Sequence, residues 1–165
     1  MGSLDPHPYP VALSELCAGA EAIVLVRPDG EVELEEREAS GPEGSVRYAW
    51  GWEPHVVLSW LKSPANALPR LWIAAASSRD AARDAQDRAN GLFGHVHHVV
   101  PVPVLTDVDP AWLRTTGERI VFLRSLPGGR WESLHAEIAL GPEASERVAA
   151  LLRPAPEPRR RWWPW

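Results

Sequence analysis

Gly94-His-Val-His-His-Val99 gathers three of the six histidines in the chain. Along a strand successive side chains point to opposite faces, so His95 and His97 share a side, as two imidazoles must to hold one Zn or Cu ion, while His98 faces away. A third ligand would come from His55, His135 or a carboxylate. The competing reading is a polar row facing solvent, with no cofactor, beside a strand that Pro101 and Pro103 confine to an edge.

The other chemically dense segment is Arg159-Arg-Arg-Trp-Trp-Pro-Trp165, set off from the body by Pro154 to Pro158. As a docking peptide, Arg159, Arg160 and Arg161 would steer encounter while Trp162, Trp163 and Trp165 fill pockets on a protein partner. As a membrane-surface anchor, the guanidinium groups would meet anionic lipid and the indoles would sit at headgroup level. The segment could also fold back onto the acidic body and cover an apolar groove. A folded carrier whose C-terminal Trp-rich peptide is modified or cleaved by another enzyme is a further reading.

Hydrolytic and nucleophilic chemistry find no footing. The chain has no Gly-X-Ser-X-Gly elbow, no His-Glu-X-X-His helix and no Gly-rich phosphate loop. The carboxylates of Glu31, Glu33, Glu35, Glu36 and Glu38 lie in an alternating segment that puts most of them in water, where they discourage unwanted strand pairing. No catalytic residue is expected.

The 165 residues amount to one domain with tails, and 45% apolar residues supply a core without metals or crosslinks. Net charge is −5, with three Arg and one Glu after residue 153, so residues 1–153 carry −7. An acidic body argues against nucleic acid, whose binding modules concentrate cations on one face. Cys17 is alone, which excludes an internal disulfide and suits a small buried residue. No apolar run reaches the ~20 residues of a transmembrane helix, and the N-terminus lacks the basic start and apolar centre of a signal peptide. The expectation is a soluble protein, cytoplasmic unless Met1-Gly-Ser replaces a removed signal, in which case exported.

The elements follow from periodicity and punctuation. Residues 1–10, with three prolines, form an extended lead-in, and Leu13, Leu16 and Cys17 mark a short helix that Gly19 ends. Ala22-Ile-Val-Leu-Val26 is a strand stopped by Arg27-Pro-Asp-Gly30, predicting a hairpin to Glu31–Arg37 with Val32 and Leu34 inward. After a loop over 39–45, Val46 to Lys62 is a long strand bent near Gly51 and Pro54. Leu71 to Ala75 is a strand, and 79–89 lies in an exposed helical insertion. Asp109-Pro110 begins a short helix that Gly117 terminates. Two strands flank Leu126-Pro-Gly-Gly129, and Pro142 to Arg153 is a closing helix with Val148, Leu151 and Leu152 on one face. Trp60, Trp72, Trp112 and Trp131 belong to apolar elements, and Trp50 and Trp52 pack at the core edge.

This order, with the Ala20-Glu-Ala-Ile-Val24 and Gly117-Glu-Arg119 neighbourhoods and Ser59-Trp-Leu-Lys62 between them, resembles the TIMP-like or netrin-module group of OB-fold barrels, particularly bacterial relatives, over residues 11–140. The resemblance implies a fold and no activity. Animal members inhibit metalloproteases through an N-terminal Cys-X-Cys, and Cys17 does not match it.

The resulting expectation is mainly β with minor α: a small OB-like closed barrel of five or six strands with short terminal helices, spanning 11–153, followed by a Pro/Arg/Trp-rich tail over 154–165. Its expected role is a non-catalytic binding or assembly module, without a cofactor, docking through the tail on a protein partner or a surface. The alternatives are Zn or Cu binding through His95 and His97, and the carrier role. The sequence leaves oligomeric state open.

Overall fold

The computed structural model describes residues 3–92, 97–135, 138–154 and 156. The described elements, in chain order, are β1 (Ser3–Val11), α1 (Leu13–Gly19), β2 (Ala22–Pro28), β3 (Glu33–Gly41), β4 (Gly44–Lys62), β5 (Arg70–Ala74), α2 (Ser77–Ala89), β6 (His97–Leu105), β7 (Arg119–Leu126), β8 (Arg130–Ser133), β9 (Ala139–Leu140) and α3 (Ser145–Leu152).

Five strands close on themselves. Their order is β2-β4-β5-β8-β7, and β7 returns to pair antiparallel with β2 from Ala22↔Leu123 to Val26↔Arg119. Every barrel pairing is antiparallel except β5 with β8. The chain is thus mainly β, built as a small OB-like closed barrel of five strands with a few short helices. Closure removes the strand edges that an open sheet would leave.

The continuous apolar runs in β2 and β7 have a simple origin: both strands are buried on two faces. Ala22, Val24 and Val26 join Leu71, Ile73, Val121, Leu123 and Trp131 in one apolar cluster. The alternate residues Ile23, Ile120 and Phe122 belong to a second cluster with Leu13, Leu16, Cys17, Leu140 and Val148, formed where α1 and α3 pack against the barrel. Cys17 is buried, as a small apolar residue would be.

Both ends of α1 are held from far away in sequence. The Asp107 carboxylate accepts from the Leu13 amide at 3.1 Å, and Lys62 Nζ donates to the carbonyls of Cys17 (3.1 Å) and Ala20 (2.6 Å). An anion at the N-terminus and a cation at the C-terminus complement the helix dipole and satisfy groups that a seven-residue helix leaves unpaired.

Several local expectations change. The turn at Arg27–Gly30 does not make a hairpin; β2 and β3 lie one after the other along β4, from Ile23↔Lys62 to Pro28↔His55 and then Glu33↔Trp52 to Gly41↔Gly44. Nineteen residues of β4 are long enough to partner both. The true hairpin is β3–β4, closed over Pro42-Glu43, where a seven-residue loop was expected.

Val32 and Leu34 are not inward: they are 45% and 70% exposed. Leu34 sits opposite Gly51, which offers no side chain to cover it, while Glu33 and Glu35 sit opposite Trp52 and Trp50. The aromatic face won the choice of register. Gly51 itself has no room for a side chain, since a Cβ there would lie 2.9 Å from Val32 Cγ1 and 3.2 Å from Ala75 Cβ.

The helix around 79–89 is less exposed than a surface insertion. Ala85 and Ala89 pack on Ala39 of β3, with Val46 and Tyr48 of β4 beside them, and Ser78 Oγ accepts from the Gly51 amide at 2.8 Å. The proline-rich lead-in is a strand, β1, paired parallel with β6 in a separate two-stranded sheet. Each proline of one strand faces a non-proline of the other, which a two-stranded edge arrangement tolerates. Among the described residues no helix is long and apolar enough to cross a membrane.

Candidate functional site

A cavity of about 410 Å³ opens at one end of the barrel. Its floor is set by β4, where Glu53 and His55 are two residues apart and therefore share a face. Glu53 pairs with Ile73 of β5, and His55 lies between Leu71 on one side and Pro28 on the other. The His55 side chain is only 1% exposed, the most buried titratable group in the barrel among the described residues.

The ring's partners determine its protonation. Nδ1 lies 3.0 Å from the Glu53 carbonyl oxygen, which can only accept, and Nε2 lies 3.3 Å from Arg119 Nη2, which can only donate. The imidazole is therefore the neutral Nδ1–H tautomer. Burial pushes its pKa below the ordinary 6.5, outweighing the upward pull of the Glu53 carbonyl and carboxylate, and Arg119 pushes it down further. The Glu53 carboxylate at 3.8 Å from Nε2 is accordingly no ion-pair partner of this ring.

Arg119 reaches the cavity from the start of β7. Gly117, at φ 73°, lets the chain turn there, and Arg119 Nη1 donates to the Gly117 carbonyl at 3.1 Å. The opposite wall carries Glu132, 8% exposed, whose two oxygens are taken by Arg79 Nη2 at 3.1 Å and by Arg124 Nε. Arg79 also donates to the Ser133 carbonyl at 2.8 Å. Arg114 borders the mouth and pairs with Glu143. Ile73, Val121, Ile138 and Ala139 supply an apolar wall.

Several polar groups of the cavity already engage one another. Both ring nitrogens of His55 are engaged, and each oxygen of Glu132 accepts one hydrogen bond from a guanidinium. Among the described residues, the uncommitted charges of the cavity are the Glu53 carboxylate and the remaining donors of Arg119.

A second polar assembly lies on the other face of β4. Arg37 Cζ sits 4.2 Å from the Trp50 ring centroid and 5.8 Å from that of Trp52, and Arg130 Cζ sits 4.9 Å from Trp52 and 5.0 Å from Trp72. Guanidinium planes thus alternate with indoles across β3, β4, β5 and β8, and they account for the burial of Trp50 and Trp52 as core-edge residues. Glu35 accepts from Trp52 Nε1 at 2.9 Å and Arg37 at 3.2 Å; the Trp52 bond, followed by that of Arg37, lowers its carboxyl pKa.

The residues singled out from sequence are distributed differently. Arg159, Arg160, Arg161, Trp162, Trp163 and Trp165 lie outside the described residues, as does His95. His97 is the first residue of β6, opposite Ser3. Among the described residues no group of three His, Cys, Asp or Glu side chains could hold a metal ion. Of the histidines considered as a third ligand, His55 contacts the Glu53 carbonyl and Arg119, and His135 Nδ1 lies 3.5 Å from Tyr9 Oη.

Sequence reasoning missed Glu53 and Arg119 as site residues. The available signal was Glu53-Pro-His55, two polar residues at alternate positions in a strand that must pass through a barrel. No protein-family model matches the chain, and no curated protein matches it.

Proposed function

We propose that this chain is a non-catalytic binding module whose ligand is a small polar molecule held in the barrel-end cavity. The observation that carries the reading is the cavity itself: about 410 Å³, within the range of small-molecule sites, with an apolar wall and a few convergent charged groups. The engagement of both His55 nitrogens supports binding over catalysis, because a general acid or base needs a proton or lone pair directed at the substrate. A TIMP-like relationship remains a proposal at the level of the barrel; metalloprotease inhibition is no part of it, since Cys17 is internal and buried.

The test is a thermal-shift screen of the full chain against a panel of small polar metabolites, run beside Thr116→Trp. Thr116 is exposed at the cavity mouth, so the indole fills the opening without disturbing the core. The expected result is at least one compound that raises the melting temperature of the parent and not of the variant. A panel that shifts neither protein, or both equally, overturns the reading.

A further inference from the structure

Glu53 and Arg119 carry opposite charge, both border the cavity, and both approach the same atom. The Glu53 carboxylate is 3.8 Å and the Arg119 guanidinium 3.3 Å from His55 Nε2, so their separation cannot exceed those two distances laid end to end. Yet among the described residues they do not pair: Arg119 spends its described contacts on His55 and the Gly117 carbonyl. The other cavity ions have partners among the described residues: Arg79 shares Glu132 with Arg124, and Arg114 pairs with Glu143. Among the described residues one anion and one cation remain, lining a common space with a neutral ring between them.

We infer that the ligand is a zwitterion, a free α-amino acid with an apolar side chain, its carboxylate met by Arg119 and its ammonium by Glu53. The inference rests on the cavity reading above. A simple anion drawn to Arg119 would be repelled by Glu53, and a simple cation the reverse, whereas a molecule carrying both charges one carbon apart satisfies the two at once. Two charge-assisted hydrogen bonds of about 2.8 Å each fit such a group around the imidazole in a bent arrangement. Ile73, Val121, Ile138 and Ala139 face the same space and would receive an aliphatic side chain, and the cavity is far larger than glycine needs. The depressed pKa of His55 supports the assignment, since an imidazolium at Nε2 would add a third charge and repel the ammonium.

Three nearly isosteric probes decide the matter by titration calorimetry on the full chain: leucine, 4-methylpentanoate, which lacks the amine, and 3-methylbutylamine, which lacks the carboxylate. Leucine is expected to bind, with each analogue weaker by about tenfold or more, the loss of one charged hydrogen bond. Glu53→Gln should erase the preference of leucine over 4-methylpentanoate, and Arg119→Lys should weaken leucine while sparing 3-methylbutylamine. The second variant keeps the inference testable should the first not fold. Equal binding of leucine and 4-methylpentanoate overturns the zwitterion and leaves the cavity reading standing. So does failure of all three probes when another compound in the metabolite screen is blocked by Thr116→Trp. Failure of every compound in both experiments removes the cavity reading as well.

Discussion

Arg119 Nη2 donates to His55 Nε2 across 3.3 Å, joining the first residue of β7 to the middle of β4 through a ring that is 1% exposed. The contact works only while the imidazole is neutral. In the folded chain its pKa is depressed, chiefly by burial, whereas in the unfolded chain it takes a proton near 6.5. The unfolded state therefore binds more protons as pH falls below that value, and stability drops with it. The contribution is intact above pH 6.5 and is lost progressively beneath it. Melting temperature measured from pH 8 to pH 5 should fall in the parent and fall less in His55→Gln; parallel curves for the two would refute the assignment.

Gly41 lies where the β3–β4 hairpin meets the end of α2. A Cβ there would come within 2.7 Å of the Ala89 carbonyl carbon and 2.6 Å of Asn90 Oδ1, with the Ala89 oxygen nearer still. The obstacle is helix backbone, which cannot rotate aside. Gly41→Ala should cost about 1–3 kcal/mol, seen as a melting temperature lower by several degrees. A value within a degree of the parent would show that α2 can retreat from the hairpin at little cost.

Arg130 stacks between Trp52 and Trp72, a role that depends on a flat, delocalised cation. Arg130→Gln is expected to lose about 1–2 kcal/mol from the two aromatic contacts. Arg130→Lys should recover less than half of that, because an ammonium cannot present two faces. Urea unfolding midpoints of the three proteins check the order, and full rescue by lysine would mean that charge alone matters.

Glu132 is gripped by Arg79 and Arg124 at the cavity wall, its own side chain 10% exposed and theirs 37% and 51%. Replacing it with glutamine removes the charge that both guanidinium groups share. Since the two arginines can turn toward water, the expected loss is about 1–2 kcal/mol rather than that of a fully buried pair. Raising salt should narrow the difference between the parent and Glu132→Gln, and denaturation at low and high ionic strength measures it.

Much of the local structure was legible because single residues enforce it. The Asp109 side chain accepts from the Ala111 amide at 2.9 Å at the start of a 3-10 turn over Pro110–Trp112, and α1 ends at Gly19, although its C-cap is Ala20. The apolar runs Ala22–Val26 and Ile120–Leu123 read as strands for a sound reason, since each is buried on both sides. Alternation in Glu31–Arg37 misled, because period-two patterning identifies a strand but not which face its partner will choose. The buried face follows the indoles of β4, supplied from a distant part of the chain.

The candidate site was less legible. His55 and Glu53 are two residues apart, but Arg119 lies 64 positions beyond His55, on a strand that does not pair with β4 and has β2 between them. The aromatic ladder likewise joins Arg37, Trp50, Trp52, Trp72 and Arg130 from four strands.

By itself, then, the sequence determined what short-range sterics and burial dictate: which segments extend, which coil, where the chain turns, and that a lone cysteine belongs inside. Only the tertiary structure decided which strands neighbour one another, that one 19-residue strand would carry both β2 and β3, and that Asp107 and Lys62 would hold the two ends of α1. Local preference acts through neighbours along the chain. A cavity is made by closing the barrel, and no segment carries it alone.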